Sequence, residues 1–275
     1  MDNSLVFEAI AAKLREADAL VILAGAGMGV DSGLPDFRST GGYWAQLEDG
    51  GEESVFERMN PARLVAEPLA LWASLAARMR DYSHTVPHEG FGILRKWIAR
   101  LGLDAFVLSS NVDGQFLKAG FAPDRLRDLH GSLFWWQCSV PCGGDIWPNE
   151  QEAEAILEGL ALGVLPRCKH CGAVARPNVY MFRDNTYLEA RSRAQDALYQ
   201  SFLLRNTGLK IVAIEIGSGP HVQSIRAKTR KLMYQHGAWA LRINPQDFAI
   251  KPPHLGLPMS ALDALGAIDS VLYRD

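Results

Sequence analysis

The sequence predicts an α/β fold with a doubly wound parallel sheet, on three observations. Short apolar runs that read as buried strands alternate with stretches of helical periodicity. Three of those runs end in residues suited to a ligand: Gly25-Ala26-Gly27, Ser110-Asn111-Val112-Asp113 and Gly217-Ser218-Gly219. In an open parallel sheet ligands bind just beyond the C-terminal ends of the strands, so one architecture accounts for all three endings. The length, 275 residues, is enough for one large or two coupled domains with a substantial core.

The elements follow in order. Leu5 to Ala17 carries Leu5, Phe7, Ala9, Ile10 and Leu14 at helical spacing and is expected to pack on the sheet. Ala19-Leu20-Val21-Ile22-Leu23 is an uninterrupted apolar run, the mark of a buried parallel strand. Gly25 and Gly27 come directly after it. Glycine there permits a tight strand-to-loop turn and lets a phosphate approach the backbone N–H groups. The full G-x-G-x-x-G fingerprint is not met, because Val30 holds the sixth position. Ser32-Gly33-Leu34-Pro35-Asp36-Phe37-Arg38 then sets a carboxylate, an aromatic ring and a guanidinium in one loop, followed by Gly41 and Gly42.

Pro61 to Tyr82 is predicted to form helices of an inserted module, with Leu64, Leu71, Trp72, Leu75 and Met79 on its apolar side. A further helix starts at Pro87-His88 and runs to about Arg100, His88 being a capping or packing residue. Asp104–Ser109 (DAFVLS) is a second buried strand, and Asn111 and Asp113 lie just past its end. A short strand at Arg127-Asp128 leads into Leu129-His130-Gly131. An ordinary histidine titrates near pH 6.5, which suits His130 to general-base work at neutral pH. Glu150 to Leu162 is a helix, and Arg176 to Phe182 is strand-like. A helix over Ala194–Thr207, a strand over Lys210–Ile216 (KIVAIEI), a helix over Val222–Gln235 and a strand over Trp239–Ile243 ending in Asn244 complete the alternation. Ala267–Leu272 is expected as the last strand.

Composition excludes several classes. A net charge of −3 gives no global electrostatic reason to bind nucleic acid. Arg226 to Lys231 is expected as a solvated helix face. No apolar run approaches the roughly 18 residues of a membrane span. Met1-Asp2-Asn3-Ser4 does not open a basic-then-apolar leader, so a cytoplasmic protein with no membrane partner is expected. The four cysteines, Cys138, Cys142, Cys168 and Cys171, fall into C-x-x-x-C and C-x-x-C pairs. In a reducing compartment that spacing favours one tetrahedral zinc over disulfides, and four thiolates make the site structural. His170 is the competing ligand.

Gly25-Ala26-Gly27, Ser32 to Arg38 and Tyr43-Trp44 closely resemble the cofactor loop of the sirtuins of bacterial type, the NAD-dependent protein deacylases. Asn111-x-Asp113, His130-Gly131, the four cysteines, Gly217-Ser218 and Ile243-Asn244 follow in the sirtuin order, so the likeness extends from about Leu5 to Leu272. The resemblance implies a Rossmann-type domain over 1–44, 86–130 and 178–275. A small domain would be formed by two insertions, a helical one over 45–85 and a zinc-binding one over 131–177.

The resemblance also implies roles. Gly25, Ala26, Gly27, Asp36, Phe37, Arg38, Ser110, Asn111, Asp113, Gly217, Ser218 and Asn244 would bind NAD. His130 would be the catalytic base, Asn111 would position ribose or water, and Asp113 would orient the nicotinamide carboxamide. Val179, Tyr180 and Phe182 would bind the acyl-lysine peptide, which would add as a strand to this segment. The chemistry implied is deacylation of lysine with cleavage of NAD to nicotinamide and O-acyl-ADP-ribose. The alternatives on the same fold are an NAD glycohydrolase, a protein ADP-ribosyltransferase and a non-catalytic NAD-binding module, against which the presence of both His130 and Asn111 argues. Departures from the family pattern are Ser110 for glutamine, Gln115-Phe116 for Leu-His, Gly219 for a hydroxyl residue, Tyr180 for valine and Arg183-Asp184 for Gly-Glu. Tyr180 would narrow the acyl channel, and Arg183 would add a cation at its mouth.

Overall fold

A computed structural model describes residues 3–36, 60–220 and 222–274. In chain order its strands are β1 (Ala19–Ala24), β2 (Asp104–Ser109), β3 (Leu126–Asp128), β4 (Gly131–Cys138), β5 (Ile146–Pro148), β6 (Ala175–Val179), β7 (Ile211–Ile216), β8 (Trp239–Ile243) and β9 (Leu255–Leu257). The longer helices are α1 (Asn3–Arg15), α2 (Pro68–His84), α3 (Glu89–Leu101), α4 (Ala153–Ala161), α5 (Ala190–Arg205), α6 (Ser224–His236) and α7 (Ala261–Leu272).

Six strands form one parallel sheet in the order β3-β2-β1-β7-β8-β9. β1 lies inside the sheet, and all six of its residues are buried, as its unbroken apolar run requires. Successive side chains point to opposite faces. Leu20, Ile22 and Ala24 therefore meet α1, α3 and α7 through Ile10, Leu14, Leu94, Trp97, Leu265 and Ile268. Val21 and Leu23 meet α5 and α6 through Tyr199, Phe202, Leu203, Ile225 and Leu232. The winding direction reverses between β1 and β7, which opens a crevice at their C-terminal ends.

One expected strand is a helix. Residues 261–272 form α7, capped by Ser260, whose hydroxyl accepts from Asp263 N at 3.2 Å. Ala261, Ala264, Leu265, Ile268, Val271 and Leu272 are its buried residues. That is 3.6-residue periodicity, and the apolar run Ala267-Ile268 only imitates a strand. The last strand is β9, a short run too sparse in β-branched residues to stand out. His88 is the N-cap of α3: its Nδ1 accepts from Gly90 N at 3.0 Å, and its Nε2 lies 2.9 Å from Met28 O.

A second, three-stranded antiparallel sheet has the order β5-β4-β6. It shares a core with the helices of residues 63–84: Leu64, Leu71, Trp72, Leu75 and Met79 pack with Leu133, Trp136, Ile156 and Leu160. Trp72 meets Trp136 edge-to-face at 5.0 Å and donates its Nε1–H to Ala175 O at 2.9 Å. No helix among the described residues is long and apolar enough to cross a membrane.

The parallel sheet holds one buried charge pair. Glu215 on β7 stands directly beside Arg242 on β8, is fully buried, and accepts from Arg242 Nε at 2.6 Å and Nη2 at 3.3 Å. Breaking a buried pair leaves an uncompensated charge, whereas replacing both partners by apolar residues is often tolerated. Arg242→Ala is expected to lower the unfolding free energy by about 3–5 kcal/mol, read as a lower denaturant midpoint. The double variant Glu215→Leu/Arg242→Leu is expected to lose less, and an equal or larger loss would show that the pair is not what the sheet depends on.

Candidate active site

The crevice at the end of β1 is built by backbone meeting backbone. Gly25 N donates to Ile216 O at 2.9 Å, and Gly27 N to Gly217 O at 3.1 Å. A Cβ on Gly25 would stand 2.6 Å from Gly217 O, one on Gly27 2.6 Å from Gly217 Cα, and one on Gly217 2.4 Å from Gly27 Cα. Gly217 also has φ 63. No side chain fits between the two loops, so all three positions require glycine.

The end of β2 supplies polar groups to the same crevice. Asn111 is buried and donates Nδ2–H to Gly25 O at 3.0 Å. Its Oδ1 is buried with no hydrogen-bond partner among the described residues. An acceptor left in that state is expensive unless a bound group completes it. Ser110 ties back to β1, donating N–H (2.9 Å) and Oγ–H (3.3 Å) to Ala24 O. Asp113 accepts from Gln115 N at 2.9 Å. Burial pushes its carboxyl up to about 6, and the nearby Asp128 charge adds to this against the Gln115 bond. Ala26, Leu34, Pro35, Tyr82, Asn111, Val112 and Asp113 line a cleft here. Asp36 follows Pro35 at the edge of the described residues; Phe37, Arg38, Tyr43 and Trp44 lie outside them.

His130 sits just past β3. Burial holds its imidazole below the ordinary value, partly offset by a hydrogen bond to the Ser110 backbone. That bond favours the protonated ring, as a bond to a carbonyl oxygen does. The next residue, Gly131, has φ 82, and a Cβ there would lie 2.0 Å from Asn178 O. His130 is thereby placed where β4 meets β6. Tyr180 N donates to His130 O at 2.9 Å, closing the contact from the other side. Behind it Asp128 is buried against Arg191 (2.5 Å) and Gln195 (3.5 Å).

Ser218 and Asn244 lie at the other side of the crevice, and both side chains are engaged by protein. The Ser218 hydroxyl, 3% exposed, donates to Glu215 Oε1 at 2.5 Å. Asn244 Oδ1 accepts from Gln246 N and Asp247 N at 2.9 Å, and its Nδ2 donates to Ser218 O at 3.1 Å. Arg226 also donates to Ser218 O, at 3.0 Å. Glu215, Arg242 and Arg226 thus shape the loop after β7; the sequence reading missed the first two and expected Arg226 on a solvated helix face, whereas it is half-buried and bonds Ser218 O and Asp247 O. The available signal was a charged residue inside each of two otherwise apolar strands, KIVAIEI and WALRI.

Val179 is buried in the cluster against which Val112 packs. Tyr180 turns outward instead: it is 56% exposed and meets Tyr187 edge-to-face at 5.4 Å. The expected narrowing of a channel by its ring does not follow from this orientation. Phe182 is partly buried in the following turn. Arg183 there has φ 54, a left-handed conformation that costs a residue with a Cβ about 1–2 kcal/mol. A fully buried pair imposes it. Arg176 Nη1 and Nη2 bond Asp184 at 3.0 and 2.6 Å, and Asp184 also accepts from Met181 N and Thr186 N.

The cysteines converge. All four Sγ atoms lie within 4.8 Å of one another, with Cys138–Cys171 at 3.6 Å and Cys142–Cys168 at 3.7 Å. Zn–S bonds of about 2.3 Å in a tetrahedron place sulfurs about 3.8 Å apart, so the donor set fits one zinc and the longer first spacing does not prevent it. His170 pairs with Asp145 at 2.7 Å and stays outside the cluster. The glycine crevice and the orphaned Asn111 oxygen likewise fit a dinucleotide whose phosphates approach backbone.

Comparison with known proteins agrees with this geometry. The Sir2 family model matches residues 25–208. The NAD-dependent protein deacylase 2 of Pseudomonas syringae is 30% identical over 86% of this chain and 88% of its own length. The protein of the same name from Pseudomonas aeruginosa is 28% identical over the whole of both chains. Among solved structures, a Sir2 homologue in complex with NAD superimposes with a TM-score of 0.74 at 24% identity, over 96% of this chain and 93% of that one. The family model spans more than half of the chain, a curated relative is similar over most of it, and the chain belongs to the Sir2 family.

Proposed function

We propose that the chain is an NAD-dependent protein-lysine deacylase that removes acetyl or related acyl groups from lysine in a protein or peptide. The observation that carries this is the convergence of Asn111, Asp113 and His130 beside the Gly25–Gly27–Gly217 crevice, with the Asn111 Oδ1 left for a bound group. When bound, NAD supplies a labile glycosidic bond and the ribose that accepts the acyl group.

The chain's own residues do the rest. Gly25, Ala26 and Gly27, with Gly217, leave backbone open to phosphate, and Ser218 and Asn244 hold the shape of that loop. Asp36, Phe37 and Arg38 are assigned to the cofactor loop by the sirtuin resemblance. Asn111 and Ser110 face the ribose region from the end of β2, and Asp113 offers a carboxylate to an amide. His130 uses one ring nitrogen on Ser110, which fixes its tautomer and leaves the other free to take a proton from a hydroxyl. Val179, Tyr180 and Phe182 border the acyl-lysine. Cys138, Cys142, Cys168 and Cys171 hold one structural zinc that ties β4 to the turn before β6. The large sheet is read as the NAD-binding part, and residues 45–85 and 131–177 as its insertions.

The test is to incubate the protein with NAD, with and without an acetylated peptide, and identify the products. Peptide-dependent nicotinamide release with O-acetyl-ADP-ribose is the expected result. Release without peptide, or label transferred to protein, would replace the reading by a glycohydrolase or a transferase.

His130→Ala is expected to lower the deacylation rate by about 10²–10⁴ while NAD binding persists; a variant that keeps half of the activity would remove His130 from its role. The rate should also fall on acidification. Asp113 takes up a proton as pH drops through about 6, and His130, which burial holds below its ordinary value, takes one up on acidification as well. Asp113→Asn should remove the step near pH 6 from the acid limb while raising KM for NAD. Metal analysis should find about one zinc per chain, and Cys168→Ser should lower the thermal midpoint because metal binding is coupled to folding. Zinc-free protein with full stability would reject the site.

A further inference from the structure

The turn after β6 holds a cation where the backbone favours none. Arg183 sits at φ 54, is exposed, and has no ion-pair partner within 4.0 Å among the described residues. The turn is not soft. Asp184 is bonded by Arg176, Met181 N, Thr186 N and Thr186 Oγ1, and these bonds would close the same turn around glycine, which adopts this φ freely. A strained side chain held by a rigid surround at a site is reasonably suspected of use.

The position says what that use is. Tyr180 N is bonded to His130 O, so the segment starts at the proposed base; it then turns back over residues 181–184, with Arg183 exposed on the turn. A lysine side chain that brings its acyl group to the crevice beside His130 has its own backbone at the rim beside Tyr180. Its neighbours in the peptide are then about 3.3 Å further along per residue, within the reach of an arginine three residues beyond Tyr180. The rim also carries two aromatic faces, Tyr180 and Tyr187. Neighbouring charges are already paired: Arg191 with Asp128, Arg193 with Glu189, Arg176 with Asp184. Among the described residues Arg183 is thus a cation at the rim without an ion-pair partner.

We propose that Arg183 is a specificity residue that selects acyl-lysine peptides with an acidic residue close to the lysine. This rests on the deacylase reading above. An arginine–carboxylate contact at an exposed rim acts on binding rather than on the bond-breaking step, so it should appear in KM and weaken with salt.

The experiment uses the full chain with acetyl-lysine peptides that differ only in carrying Glu, Gln or Lys beside the lysine, tested on each side. The expected result for the natural protein is a KM for the best Glu peptide at least fivefold below that of the Gln peptide, with kcat unchanged. Arg183→Gly relieves the backbone and should fold at least as stably, which its thermal midpoint checks; its Glu-to-Gln ratio should fall to about one. Arg183→Lys should keep part of the preference, and Arg183→Glu should shift it to the Lys peptide. Fluorescence anisotropy with labelled peptides reads the same preference without turnover. A protein that binds the Glu peptide preferentially but releases no acyl group would overturn the deacylase reading and leave the Arg183 assignment standing. No Glu preference in the natural protein, or one that survives in Arg183→Gly, would overturn the assignment.

Discussion

The site depends on the contact between the loop after β1 and the loop after β7. Gly25 N donates to Ile216 O at 2.9 Å and Gly27 N to Gly217 O at 3.1 Å, and no Cβ fits between these glycines and Gly217. This contact sits where the sheet reverses its winding, so the crevice that any α/β sheet offers at that point is floored by bare backbone. Everything polar around it is arranged relative to that floor. Asn111 bonds Gly25 O, Ser110 bonds Ala24 O, and His130 bonds the Ser110 backbone.

The charged groups in the sheet serve the same loop from beneath. Glu215 is fully buried, a position that is costly for a carboxylate. It is satisfied by the Arg242 guanidinium and by the Ser218 hydroxyl. Asn244 and Arg226 then take the Ser218 carbonyl. The hydroxyl at Ser218 is therefore committed to the protein, and the loop takes its shape from protein contacts. Such preorganisation lowers the entropic loss on binding.

The second sheet places the other half of the site. β4 starts at Gly131 directly after His130, and β6 ends at Val179 directly before Tyr180. The histidine and the rim of the crevice are thus tied to one pair of strands, whose far end carries Cys138 and its three partner thiols. Trp72 and Trp136 fill the space between that sheet and the helices of residues 63–84.

Much of this was legible in the sequence. The strands over 19–24, 104–109, 211–216 and 239–243 are runs whose apolar continuity only a sheet covered on both faces can use, and their ends name the crevice. The cysteine pairs are legible because few other arrangements suit four thiols so spaced. Residues 267–272 read as a strand because a short apolar run carries no periodicity of its own; the buried positions at helical spacing over 261–272 and the Ser260 cap make them a helix. What tertiary structure alone decided was partnership and direction. Whether Ser218 faces a ligand or Glu215, whether Tyr180 turns in or out, and that Arg183 is held at positive φ all depend on groups distant in the chain. Local sequence governs which conformations a segment can adopt. Which polar atom finds which partner is settled only when the packed sheets bring them within hydrogen-bonding distance.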